Sequence, residues 1–135
     1  MTILECMLQW AESVGIQVSA DGNNLLFPVD GEAGSWLARV TAMDEDGLLF
    51  IVTAYPFQVA KHARLNASVA LAEITSQLKL GAFYMDHTNG QINFRLGQKI
   101  PDGEVRLQWV ADWIMTAMNV TDGYYRKMMA LAAEE

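Results

Sequence analysis

Leu80-Gly81-Ala82-Phe83-Tyr84-Met85-Asp86, then His87-Thr88-Asn89-Gly90, then Gln91-Ile92-Asn93-Phe94-Arg95-Leu96 is the stretch that decides the fold. Phe83 and Met85 alternate with Tyr84 and Asp86. Ile92, Phe94 and Leu96 alternate with Asn93 and Arg95. A period of two sets apolar side chains on one face of a sheet and polar ones on the other. Asn89-Gly90 falls between the two runs, where a tight turn needs residues that tolerate positive φ. The stretch therefore reads as a β-hairpin. It carries structure and no chemistry, and no catalytic motif stands anywhere else in the chain.

Working outward, the spacing predicts a helix from Thr2 to about Val14, with Ile3, Met7, Trp10 or Ala11, and Val14 on one face. Gly15 ends it, as a C-terminal glycine commonly does. Two short strands, Ile16–Ser19 and Leu25–Val29, flank Asp21-Gly22-Asn23-Asn24. A further hairpin pairs Trp36–Met43 with Leu48–Tyr55 around the turn formers Asp44-Glu45-Asp46-Gly47. Leu48–Tyr55 is apolar at nearly every position, which places it centrally in the sheet or with one face under a second layer. Pro56 is expected to close that strand, because it cannot continue a hydrogen-bonded ladder.

The segment from about Val59 to Leu78 reads as helix, with Ala63, Ala67, Ala70, Ile74 and Leu78 as a stripe lying across the sheet. After the Leu80–Leu96 hairpin, Pro101-Asp102-Gly103 breaks the chain, and Asp102 is a candidate N-cap for the next helix. Leu107, Val110, Ile114, Ala117 and Met118 give that helix its apolar side. Asn119 to Asp122 read as a hinge before a last short helix, Gly123–Ala133, bearing Tyr124, Met128 and Leu131. The order is helix, four strands, helix, two strands, two helices. Hairpins in runs, interrupted by helices, predict an α+β fold: an antiparallel β-sheet built from hairpins and packed by α-helices. Length, with no repeat or linker, places residues 1–135 in one domain.

Composition narrows the function classes. The chain is 52% hydrophobic and 19% charged, as folded globular proteins are. Its formal net charge is −7, and no run of Lys or Arg appears. A nucleic-acid binder needs a basic surface, since counterion release drives that association. The expectation is no nucleic acid and no membrane partner. Cys6 is the only cysteine, so neither an intramolecular disulfide nor a thiolate metal cluster can form. No basic segment precedes an apolar one at the N-terminus, and no apolar stretch is long enough to span a bilayer. A soluble cytoplasmic protein is expected.

The order of elements, together with these residues, resembles the YbjN family, bacterial proteins related in fold to type III secretion chaperones. The resemblance rests on a helix ending near Leu80, the Leu80–Asp86 strand, Gly90-Gln91-Ile92-Asn93-Phe94-Arg95, and a Pro-containing break. A terminal helical region with Asp122 and Tyr124-Tyr125 completes it. It spans most of the chain, and the Leu80–Leu96 region is its specific part. The resemblance implies a type III secretion chaperone-like sheet packed by helices, often dimeric. It also implies a regulatory role, since members are described as candidate regulators of bacterial sensory transduction. It brings no catalytic residues. The related chaperones bind extended segments of client proteins, and kinship of fold does not transfer a client.

The chemistry-bearing residues have plain structural explanations. Cys6 with His62 or His87 would be a nucleophile and base without a third, orienting group. Asp44-Glu45-Asp46-Gly47 starts like a calcium loop, but Leu48, Leu49, Phe50 and Ile51 follow where oxygen ligands are needed. Asp102 and Glu104 suit a helix start as well as an acid–base pair. No catalytic, cofactor or metal residue is assigned, and no enzyme is expected. Met115, Met118, Met128 and Met129 cluster near Trp109 and Trp113 in the terminal helices. Methionine suits adaptable apolar contacts and Trp anchors interfaces, although ordinary core packing also explains each residue. Trp109, Trp113 and Met118 are the candidate protein-binding residues. The expected function is a non-enzymatic protein-binding module, chaperone-like or regulatory, acting through an apolar surface as a homodimer with a further protein partner. The alternative is a small-molecule sensor or enzyme with a pocket between sheet and helices lined by Trp36, Phe50, Phe83 and Phe94.

Overall fold

The computed structural model describes residues 2–100 and 105–134. Helix α1, Ile3–Val14, starts where the Thr2 hydroxyl accepts the Glu5 N–H, and ends at Gly15 with φ 72°. The strands are β1, Ser19–Asp21; β2, Asn24–Asp30; β3, Ser35–Met43; β4, Leu48–Gln58; β5, Ala82–Met85; and β6, Gln91–Lys99. Helices α2, Arg64–Ser76, α3, Leu107–Gly123, and α4, Tyr125–Ala132, complete the order. The six strands form one sheet in the order β1-β2-β3-β4-β6-β5, every pair antiparallel. This is the α+β architecture expected from the hairpin pattern.

The sheet is one-sided. Leu25, Phe27, Trp36, Ala38, Val40 and Ala42 are buried from β2 and β3, and Leu49, Ile51, Thr53 and Tyr55 from β4. Phe83, Met85, Ile92, Phe94 and Leu96 continue that core across β5 and β6. Helices α1, α3 and α4 pack on this side, over β3, β4 and β6, while α2 packs against β5. A buried hydroxyl cluster seats α3. Thr53 Oγ1 lies 2.7 Å from Thr121 Oγ1, and the Tyr55 phenol donates to the Thr121 carbonyl at 2.7 Å. Burial first, then Asp122 and Tyr125, hold that phenol protonated well above its ordinary range.

Several expectations need correction. The first strand is Ser19–Asp21, not Ile16–Ser19, because the turn tightens to Gly22-Asn23 and leaves Ser19–Asp21 opposite Asn24–Leu26. Pro56 does not close β4, which runs to Gln58. The β4–β6 register shifts between Ala54 and Gln58, and β3 pairing stops at Ala54. Pro56 therefore sits in an irregularity where no ladder bond is required of it. The predicted helix from Val59 begins instead as a 3₁₀ turn, Lys61–Ala63, before α2. Its buried residues are Ala67, Leu71 and Ile74, and it flanks the edge strand rather than crossing the sheet. The Thr75 hydroxyl accepts the Phe83 N–H at 2.9 Å, which occupies an outward donor of β5.

The hinge expected at Asn119–Asp122 is helical. Thr121 is fully buried, and its hydroxyl donates to the Ala117 carbonyl while meeting Thr53, so tertiary contact carries α3 on to Gly123. The break falls at Tyr124 instead. Val14 is half exposed, and Cys6 takes its place on the buried face of α1. Pro101-Asp102-Gly103 and Glu104 lie outside the described residues, and Arg106 occupies the N-cap position of α3. The Asp44 carboxylate, read from sequence as a turn former and a poor start to a calcium loop, accepts the Ile3 N–H at 2.7 Å and docks the β3–β4 turn on the start of α1.

Candidate binding surfaces

The side of the sheet away from the helices follows from the same alternation. Leu48, Phe50, Val52 and Ala54 of β4 are half-buried there. Leu37 is 62% exposed, Leu26 42% and Tyr84 38%. Register fixes their neighbours. Arg39 and Arg95 both face Val52 from opposite sides, and Leu26 lies beyond Arg39. In the next row Thr41 and Gly97 flank Phe50. A Cβ at Gly97 would come within 2.8 Å of the Phe50 ring, so the missing side chain lets that ring lie over β6. The Arg95 guanidinium stacks on the ring at 5.0 Å from its centroid. Hollows of about 490 Å³ and 230 Å³ open on either side of this stack.

A second concavity of about 790 Å³ lies between α1, α3 and the end of β2. Trp10, Phe27, Trp36, Met115 and Met118 line it, with Asp122 at its rim. Asp122 is committed to structure. Its carboxylate accepts the Glu32 and Ala33 N–H groups at 3.1 and 3.0 Å, pinning the β2–β3 loop. Gly31 fits because a Cβ there would collide with Asp122 and the Trp36 ring. The Trp36 indole N–H is buried with no acceptor among the described residues.

The candidate residues of α3 do not share one patch. Trp109 and Trp113 are half-buried on one flank of the helix, with the Arg106 guanidinium 5.0 Å over the Trp109 ring. Met118 is 7% exposed and turns into the groove on the other flank. At 3.6 residues per turn, Trp113 and Met118 point about 140° apart. The aromatic pocket of the alternative reading does not form either. Phe83 and Phe94 pack in the core with ring centroids 5.1 Å apart, and Trp36 is buried nearer Tyr125, while Phe50 lies on the opposite face of the sheet.

Cys6 is fully buried with its thiol directed at the Val105 carbonyl, and burial is the main force pushing its pKa up. His62 and His87 are exposed. Among the described residues no group of three His, Cys, Asp or Glu side chains could hold a metal ion. No helix there is long and apolar enough to cross a membrane. The Arg39–Val52–Arg95 row went unread in the sequence. Its signal was present in Leu37, Arg39, Thr41 and Met43, which alternate with the buried residues of β3.

A helix, a four-strand meander, a second helix, an inserted hairpin and two closing helices on one side of the sheet define the YbjN and type III secretion chaperone-like fold. No family model and no curated protein matches the chain. Among solved structures it is similar to YbjN, a candidate transcription regulator from E. coli, with TM-score 0.70 and 14% identity over 93% of each chain. It is also similar to a chain of the ExsC–ExsE complex, with TM-score 0.61 and 11% identity over 98% of this chain and 96% of that one. A chain of the HopA1–SchA chaperone–effector complex follows at TM-score 0.58 and 11% identity, over 86% of this chain and 87% of that one. At such identities the likeness is one of fold.

Proposed function

We propose that the protein is a non-enzymatic protein-binding module, chaperone-like or regulatory, that works as a cytoplasmic homodimer. One observation carries this reading: a six-stranded sheet with α1, α3 and α4 on one side and α2 at its edge, whose other face exposes Leu26, Leu37 and Tyr84 beside Phe50 and Val52. Contiguous apolar surface of that kind marks interaction sites. A chaperone–effector complex among the structural neighbours supports a protein as the partner. The half-buried Trp109–Trp113 flank of α3 is the candidate contact with a second copy, and Met118 supports that helix from the groove side.

Two measurements test the reading. A photo-reactive amino acid at Leu37 should form a discrete crosslinked product with another protein in living cells, and the same group at Lys79, off the sheet, should not. Equal labelling at both positions would overturn the use of the sheet face. Sedimentation equilibrium at micromolar concentration should give twice the 15.0 kDa chain mass, and a clean monomer would overturn the dimer. The groove at Trp10, Trp36 and Met115 favours a second reading, a small-molecule sensor, because its volume suits a compact ligand. A ligand screen in which Met115→Trp abolishes a thermal shift would favour that reading.

A further inference from the structure

We propose that Arg39 and Arg95 form a paired-guanidinium seat for an acidic, apolar segment of a protein partner lying across the open sheet face. The proposal rests on the protein-binding reading and adds the chemistry of the partner. Its basis is charge in an unexpected place. The chain carries 16 acidic and 9 basic side chains, yet none of the residues of β3, β4, β5 and β6 is Asp or Glu. Arg39, Arg95 and Lys99 stand on the open side of those same strands. The four strands that carry Leu37, Phe50, Val52 and Tyr84 thus hold no carboxylate, and the two acids on the open side, Asp21 and Asp30, stand at the far ends of β1 and β2.

Geometry makes the two arginines a pair. Both register with Val52, so two inter-strand spacings, about 10 Å, separate their backbones. A carboxylate above Val52 lies within reach of both forks, and each fork can grip it with parallel N–H donors. Arg95 is held for this by its stack on Phe50, which Gly97 makes possible. The hollows beside Phe50, lined by Leu48 and Ala82 on one side and by Thr41 and Tyr84 on the other, take the apolar side chains that flank the acid. The edges offer less. β1 has only three residues, and α2 flanks β5. The segment therefore lies over the face and does not extend the sheet. Nucleic acid fits less well, because two guanidiniums and one lysine make a spot and not a track, and the net charge of −7 repels a polyanion.

The test measures fluorescence anisotropy of the full chain with short labelled peptides rich in Leu, Phe, Asp and Glu. Matched peptides carry Asn and Gln, or Lys, in place of the acids, and a single-stranded oligonucleotide is the further arm. Expected is saturable binding of the acidic set, weakened about tenfold or more by Arg39→Gln or Arg95→Gln and strengthened at low salt, since each substitution removes charge-assisted hydrogen bonds to the carboxylate. Arg39→Lys should recover part of the loss. Both arginines are exposed, so folding of the variants is checked by circular dichroism. Equal binding of acidic, amide and lysine peptides would overturn the seat while leaving the protein-binding reading standing. Binding of the oligonucleotide alone would overturn both. Absence of binding by the whole acidic set would overturn the seat, and crosslinking at Leu37 would then decide the broader reading by itself.

Discussion

Replacing Thr121 by Val should destabilise the protein more than replacing Thr53, although the two hydroxyls touch each other. Thr121 Oγ1 donates to the Ala117 carbonyl at 2.8 Å, so its proton is spent there and Thr53 must be the donor across the 2.7 Å contact. Both residues are fully buried. Thr121→Val removes the acceptor and leaves the Thr53 O–H unpartnered in the core, a desolvation penalty of about 1–3 kcal/mol. Thr53→Val removes the donor while Thr121 keeps its own bond to Ala117, and should cost about 1 kcal/mol. The double variant has two apolar side chains of matching shape. Its cost should fall short of the sum of the singles by at least about 0.5 kcal/mol, as expected for residues in contact. Urea denaturation followed by tryptophan fluorescence, at one protein concentration, gives all three values. A larger loss for Thr53→Val, or additive losses, would show that the proton assignment is wrong and that the hydroxyls are not coupled.

Trp113→Ala should weaken association by about 2 kcal/mol and spare folding if the half-buried ring is an interface anchor. A loss of about 3–5 kcal/mol in unfolding with unchanged dimer dissociation would return Trp113 to the core. The Cys6 thiol, fully buried and with a raised pKa, should not react with an aromatic disulfide reagent at neutral pH until the chain unfolds, and rapid stoichiometric labelling would refute its placement. Asp86 accepts the Thr88 hydroxyl and backbone N–H, and these bonds hold its carboxyl below the ordinary range. A lowered folded-state pKa adds stability above the ordinary carboxylate pKa, and that part is lost as pH falls through the lowered value. An NMR titration should show this depressed midpoint, and Thr88→Val should raise it; an unmoved midpoint in that variant would contradict the assignment.

What could be read from the sequence was local. The Leu80–Leu96 hairpin, the Asp44–Gly47 turn and the end of α1 at Gly15 each depend on residues a few positions apart, and periodicity finds them. The failures came where distant residues decide. Asn119–Asp122 looks like a turn until Thr53 arrives to meet Thr121 from another element. Pro56 looks like a strand end until the β4–β6 register is seen to slip beside it. The binding surface was half visible. Alternation in β6 set Arg95 opposite the core side, the same alternation in β3 went unread for Arg39, and only the packing of α1, α3 and α4 on the other side, with α2 at the edge, leaves that face open. Met118 was grouped with Trp113 by closeness along the chain, which the helical twist separates.

The strand order has a consequence for how the chain reaches this state. Four of the five strand pairings join neighbours along the chain, whereas β4 pairs with β6 across the excursion of α2 and β5. Neighbouring hairpins close small loops, and the β4–β6 ladder closes a long one whose entropy is lost before its contacts form. Closure of that seam is thus the step expected to set the folding rate. Ala substitutions that weaken Ile51 or Leu96, cross-strand partners at the seam, should slow refolding. Those in the β1–β2 hairpin should chiefly hasten unfolding. Stopped-flow chevrons in which both sets act on the same limb would place the rate-limiting event elsewhere.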